Sequence, residues 1–411
     1  MGDKQNETSL RSYSFLSHIR KSKITLFSLV GITLFYIAQY KYKWPFLRYS
    51  LLSAGSNNAD FRWIVDSANC STVTDTPVES GDPCSNYLYG RVLLKIIQIG
   101  HISSNNAQTI GYMIAFLGLI SLMHLIVPRY LKDQLSLREY LLCLFILILW
   151  PTQLIIQRAN IDIVIFILLL VASRYGEKRP VSSSILIALT AVCKFYTLPL
   201  LILFFVFYSK KGNRIVMGLI LLISGSICIR DMLKVRVSIN QNGSGQFGLQ
   251  GIYLDLLNIG FEENVSLAAS ILIVLVTIVL LLRHKSKVDE YNKIQSTTFI
   301  FGVTFLSCYF AGMNYDYRLL FALPAVIAIL SESTRRNADG SKLFCILVFS
   351  FIFTCEIGNT HNLFRFDSYA FLLKSLYLFS DIAVMIFALY LLTRFAPKKK
   401  LRINKEETNN S

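Results

Sequence analysis

Residues 181–208 read VSSSILIALTAVCKFYTLPLLILFFVFY. The stretch is 28 residues long, carries a single charge at Lys194, and has Pro199 near its middle. A membrane-crossing helix needs about 20 apolar residues, so this run is too long for one span and too short for two full ones. Its flanks decide between them. Arg174, Lys178 and Arg179 precede it, and Lys210, Lys211 and Arg214 follow it. Basic residues collect on the cytoplasmic side of a membrane. A single span would put one of these clusters outside, whereas a hairpin of two short helices turning at Cys193–Pro199 keeps both inside. Proline removes a hydrogen-bond donor and breaks the helical ladder, which places the turn.

The rest of the chain repeats this grammar. Of 411 residues, 54% are hydrophobic and 16% charged, and the mean hydropathy is +0.50. Soluble domains carry about 25% charged residues. A soluble enzyme, a disordered chain and a disulfide scaffold are therefore excluded. Runs such as Ile161–Ala172 do not alternate, which excludes a transmembrane β-barrel. Further apolar spans fall near 24–40, 108–127, 139–157, 160–173, 215–229, 266–282, 294–311, 319–330, 343–357 and 369–392. With the hairpin they make about twelve membrane elements. The expected fold is an all-α polytopic membrane protein.

Charge supports the alternation of sides. With the N-terminus cytoplasmic, the inner segments hold 27 of the 41 Lys and Arg residues and 10 of the 25 acidic ones. The net charge of +16 thus lies on one face and reads as topology, so no nucleic-acid partner is expected. Residues 1–23 form a cytoplasmic tail without a cleavable signal. Residues 24–392 form one transmembrane domain, and 393–411 a basic cytoplasmic tail.

Two outer loops are long, 41–107 and 230–265, and long loops tend to be functional. The first ends in an amphipathic segment, Tyr87–Ile99, suited either to the membrane interface or to packing on neighbouring spans. It also holds Cys70 and Cys84, which an oxidising compartment would allow to pair. No CxxC, paired histidine or glycine-rich phosphate loop is present, so a protein-built metal site has no direct support.

Ionisable residues at membrane depth are costly and mark function by default. Four places stand out on the outer side: Asp60; Arg158-Ala-Asn160-Ile-Asp162; Lys194-Phe-Tyr196-Thr-Leu-Pro199; and Asn314-Tyr-Asp316-Tyr-Arg318. Each has a plainer alternative as a solvated acid, an ion pair, a snorkelling lysine or a polar turn. Together they bring three cations and several carboxylates to one membrane surface. Arginine grips a phosphate bidentately and lysine supplies a point charge, while a nearby carboxylate suits a general base.

The order of these residues resembles glycosyltransferase family 87. That family carries an (R)-G-N-x-D motif followed about 30 residues later by a K-x-x-P-like stretch. Here these are Arg158–Asp162 and Lys194–Pro199. Asp60-Phe followed by Gly81-Asp-Pro83 resembles the family's opening, and Asn314–Arg318 before a span with Pro324 fits its later pattern. Ala159 stands where glycine is usual, and the lysine-to-proline spacing is longer than typical.

The resemblance implies a GT-C-like bundle and a polyprenyl-phosphate sugar donor, often mannose or arabinose. It implies a lipid-linked or surface glycan acceptor, and a base in the first outer loop. That base would be Asp60, with Asp66 as second choice. Arg158, Asn160, Asp162, Lys194, Tyr196, Asn314, Asp316 and Arg318 would hold substrate. Members of the class differ in metal dependence, so a divalent metal stays open and no other cofactor is expected. The expected location is the bacterial inner membrane, with both termini cytoplasmic and membrane lipid as surroundings. An O-antigen-type polymerase or ligase and a lipid-glycan transporter or flippase are the competing classes. No clear inverted repeat supports the transporter, and the longest outer loop comes first rather than late.

Overall fold

The computed structural model describes residues 3–42, 59–70, 89–148, 150–176, 178–234, 259–285, 296–310 and 316–336, with single positions between 252 and 257 and between 378 and 386. The spans expected over 343–357 and 369–392, the tail 393–411, Cys84 and Asn314 lie outside these residues, apart from those single positions. Among the described residues the chain is helical throughout, without a strand.

Among the described residues, three helices are long and apolar enough to cross a membrane: Ile19–Ala38, Ser104–Leu131 and Arg214–Met232. They coincide with three of the expected spans and indicate a membrane protein. The first belongs to α1 (Asp3–Tyr42), which runs unbroken through the tail expected over 1–23. Neither proline nor glycine occurs from Asp3 to Val30 to stop it. Two short helices follow in the loop expected to face outward, α2 (Ala59–Asn69) and α3 (Arg91–Ile99). The second long helix is α4 (Ser104–Leu131).

The span expected over 139–157 is helical on both sides of residue 149, which lies outside the described residues, as α5 (Leu137–Ile148) and α6 (Trp150–Gln157). Pro151 cannot donate to the ladder, and the Leu147 carbonyl four residues earlier is taken by the Tyr36 hydroxyl of α1 at 2.6 Å instead. Thr152 Oγ1 donates to the Ile146 carbonyl at 2.9 Å, and Gln153 Nε2 donates to the Ile148 carbonyl. Next come α7 (Asp162–Tyr175), α8 (Pro180–Cys193), a 3-10 turn over Phe195–Thr197 and α9 (Leu198–Tyr208). The stretch 181–208 therefore breaks at Lys194, and its two helices pack on each other. Pro199 sits in the first turn of α9, where its missing N–H costs nothing. The remaining helices are α10 (Arg214–Lys234), α11 (Glu263–Lys285), α12 (Ser296–Phe310) and, after a 3-10 turn over Asp316–Phe321, α13 (Ala322–Arg336).

The core is aromatic. Phe166 of α7 meets Phe301 of α12 at 5.2 Å between ring centroids, and Phe321 meets Tyr196 at 5.8 Å. Gly118 lets α4 approach α7 closely, because a Cβ there would lie 2.8 Å from the Ile163 side chain. A second apolar cluster joins the outer loop to the bundle. Phe61, Ile64 and Val65 of α2 and Leu93, Leu94 and Ile97 of α3 bury themselves against Ala159, Ile161 and Cys193. The amphipathic segment of the first loop thus packs on the protein with one face, while Ile96 and Ile99 remain exposed on the other.

Candidate functional site

The site begins at the corner between α6 and α7. Helix α6 closes when the Asn160 amide donates to the Ile155 carbonyl and the Ala159 amide to the Ile156 carbonyl, both at 3.1 Å. This pairing is a Schellman closure, and it demands a left-handed residue after the cap. That residue is Ala159, with φ +47°. Glycine occupies such positions without strain, which explains a glycine in the motif this corner resembles. One residue later, Asn160 Oδ1 accepts the Asp162 amide at 2.9 Å and so starts α7 with an Asx turn. One helix ends and the next begins within four residues. Arg158, Asn160 and Asp162 are displayed together as a result.

A continuous set of contacts grows from this corner. Asn160 Nδ2 donates to Asp60 Oδ2 at 2.6 Å, and Arg158 lies 3.2 Å from Asp60 Oδ1. The Phe61 amide donates to the Arg158 carbonyl at 3.4 Å, fixing α2 against the corner. On the other side, Lys194 Nζ lies 2.5 Å from Asp162 Oδ1 and donates to Asn160 Oδ1 at 3.5 Å. Arg318 Nε reaches Asp162 Oδ2 at 3.3 Å, and the Tyr196 hydroxyl donates to Asp162 Oδ1 at 2.9 Å. The Arg318 guanidinium lies 4.9 Å from the Tyr196 ring centroid. Residues 60, 158, 160, 162, 194, 196 and 318, separated by up to 258 positions in sequence, thus form one network.

The two carboxylates differ. The Asp162 side chain exposes no surface and holds two cations and a hydroxyl. Asp60 keeps 18% of its side chain exposed and Arg158 keeps 26%. Burial pushes the Asp60 carboxyl above its ordinary value of 3.8, against the pull of Arg158, the Asn160 hydrogen bond and Lys194. Asp60 is therefore the carboxylate that meets solvent and that holds a proton more readily than a free aspartate.

Asp66 faces elsewhere. It accepts from the Ser104 hydroxyl at 2.6 Å and ties α2 to the start of α4. Of the later motif, Arg318 joins the network, while the Asp316 and Asn314 side chains lie outside the described residues. Two participants belong to no motif. Tyr89 places its ring 4.8 Å from Lys194 Nζ, and Asp231 caps the first turn of α3 by accepting the Arg91 amide at 3.0 Å. Only the preceding Gly90, which must approach another backbone, offers a trace of them in sequence.

Cys70 is disulfide-bonded. Among the described residues no three His, Cys, Asp or Glu side chains gather around a point. Both carboxylates of the network are already paired with cations, a donor set that suits an incoming anion better than a divalent metal. No protein-family model, no curated protein and no solved structure matches this chain.

Proposed function

We propose that this chain is a membrane glycosyltransferase of the glycosyltransferase family 87 kind, with a GT-C-like bundle of about twelve membrane elements. It moves a mannose-like hexose or a pentose from a polyprenyl-phosphate donor to a lipid-linked or surface glycan, on the outer face of a bacterial inner membrane. Both termini are cytoplasmic in this reading. Support comes from one observation: Asp60 pairs with Arg158 and is joined through Asn160 to Lys194, Asp162 and Arg318. A base and three cations within one network are what transfer from a phosphate leaving group requires.

The chemistry follows from those roles. The donor's isoprenoid tail stays in lipid and its phosphate meets Arg158, Lys194 and Arg318. An acceptor hydroxyl oxygen attacks C1 of the sugar as Asp60 takes its proton. The bond from C1 to the phosphate oxygen breaks, and polyprenyl phosphate leaves with the electron pair. The cations stabilise that charge as it develops. One displacement inverts the anomeric centre, and a phosphate leaves without a general acid. Asp162, fully buried, orients Lys194 and Arg318 and does not touch the sugar.

The test is sugar transfer by the purified protein in lipid nanodiscs, supplied with a polyprenyl-phosphate sugar and a lipid-linked glycan acceptor. Asp60→Asn, which keeps the shape of the side chain, loses roughly 10²–10⁴-fold in rate. Because the base must be ionised, the wild-type rate rises with pH along a limb whose midpoint lies above 3.8, and Asp60→Asn lacks that limb. Full transfer by the variant removes Asp60 as base. Lipid-glycan movement across proteoliposomes without a new glycosidic bond favours a transporter instead.

A further inference from the structure

The outer loop touches the cationic centre through Tyr89, and the way it is held is specific. Gly90 rests directly on the end of α8: its amide donates to the Cys193 carbonyl at 3.0 Å, and a Cβ there would lie 1.8 Å from the Val192 carbonyl oxygen. No other residue fits without moving backbone. The next amide, that of Arg91, is taken at 3.0 Å by the Asp231 carboxylate, which is 1% exposed and comes from α10, 140 residues away. Two successive amides are thus anchored on two different helices. The residue before them, Tyr89, is left with its ring 4.8 Å from Lys194 Nζ. Lys194 therefore meets a carboxylate, an amide oxygen and two aromatic rings, with Tyr89 at 4.8 Å nearer than Tyr196 at 5.9 Å.

The geometry points to Tyr89 as a positioning residue for phosphate recognition, with Gly90 and Asp231 as the anchors that set its ring against Lys194. This rests on the reading of the site given above. Without Tyr89 the ammonium would be held chiefly by Asp162 and Asn160, both on the corner side of the site. The negative face of the Tyr89 ring, the nearer of the two rings, offers a weaker attraction that takes up no N–H donor. It holds the ammonium in place and leaves the hydrogen not engaged by Asp162 or Asn160 to an arriving phosphate. The ring belongs to the first outer loop and Lys194 to the bundle, so the contact couples loop seating to the charge that meets the donor.

The experiment compares binding of a polyprenyl phosphate with that of the same-length polyprenol to the full chain in nanodiscs, with no sugar present. The readout is the preference for phosphate over alcohol. The wild type prefers the phosphate and Lys194→Gln loses that preference. Tyr89→Leu reduces it about tenfold, and Tyr89→Phe, which keeps the ring face, restores it. Asp231→Ala, which removes the acceptor of the Arg91 amide at a position remote from the lysine, reduces it by a smaller factor and keeps the test decisive where Tyr89→Leu does not fold. An unchanged preference in Tyr89→Leu and Asp231→Ala alongside its loss in Lys194→Gln overturns the role of Tyr89 and leaves the site reading standing. A preference untouched by Lys194→Gln, or absent from the wild type, overturns both.

Discussion

Two proline-bearing helical stretches in this molecule satisfy their backbone by different means. At Pro151, between α5 and α6, the Leu147 carbonyl that loses its amide donor is taken by the Tyr36 hydroxyl of α1, and Thr152 and Gln153 cover the Ile146 and Ile148 carbonyls. At the α8–α9 break the Cys193 carbonyl is taken by Gly90 of the first long loop, and the Lys194 side chain reaches Asp162 of α7. The first is closed by neutral donors alone. The second also needs a charged partner from elsewhere in the fold. Proline and apolar flanks make the two look alike in sequence. What separates them is whether the break carries a charge, since a charge at membrane depth must find an opposite charge that local neighbours do not supply.

Three substitutions break or sharpen that contrast. The largest effect is expected from Asp162→Ala, which strands Lys194 and Arg318 without their shared buried counter-ion. Removing one partner of a buried pair costs about 3–5 kcal/mol, read as a fall in the thermal unfolding midpoint of the purified protein. A loss no larger than that of a surface substitution would mean that the charged break needs its counter-ion no more than the first break needs any one of its neutral donors. Thr152→Val tests the other side. It deletes one local donor to the Ile146 carbonyl, so the expected loss in the same assay is about 1 kcal/mol. The smallest effect, and a gain, is expected from Ala159→Gly. A left-handed L-residue costs about 1–2 kcal/mol and glycine returns about 0.5–1 through its looser unfolded state. The net gain therefore lies between about 0 and 1.5 kcal/mol, with a middle value of about 0.75. Destabilisation by that change would show that the Ala159 methyl, buried against α2 and α3, matters more than its backbone strain.

Asp60 and Asp162 repeat the lesson within the site. Both were legible as acids flanking apolar spans, but nothing in their flanking residues says which is exposed. Depth decides it: α2 sits at the rim of the bundle, whereas the first turn of α7 lies beneath Lys194, Tyr196 and Arg318. Burial raises the Asp60 pKa, so its neutral form fits the fold better. The stability that this contributes is complete at low pH and declines as pH rises through the folded value. Asp66 shows the limit of proximity in sequence. Six residues from Asp60 on the same helix, it turns to Ser104 instead.

Sequence alone was sufficient for the helical class, for the positions of the long apolar helices, for the break near Lys194 and for most of the charged residues now found together. Hydropathy, proline and unmatched charge are local quantities and can be read one window at a time. Tertiary structure alone decided that Tyr36 of α1 takes the carbonyl orphaned by Pro151, that Ala159 takes a left-handed turn, and that Tyr89 and Asp231 belong to the site at all. The reason is physical: Tyr36, Tyr89 and Asp231 meet their partners across more than a hundred residues, and no periodicity within one segment records that distance, while the local turn at Ala159 is made by a residue type that does not announce it.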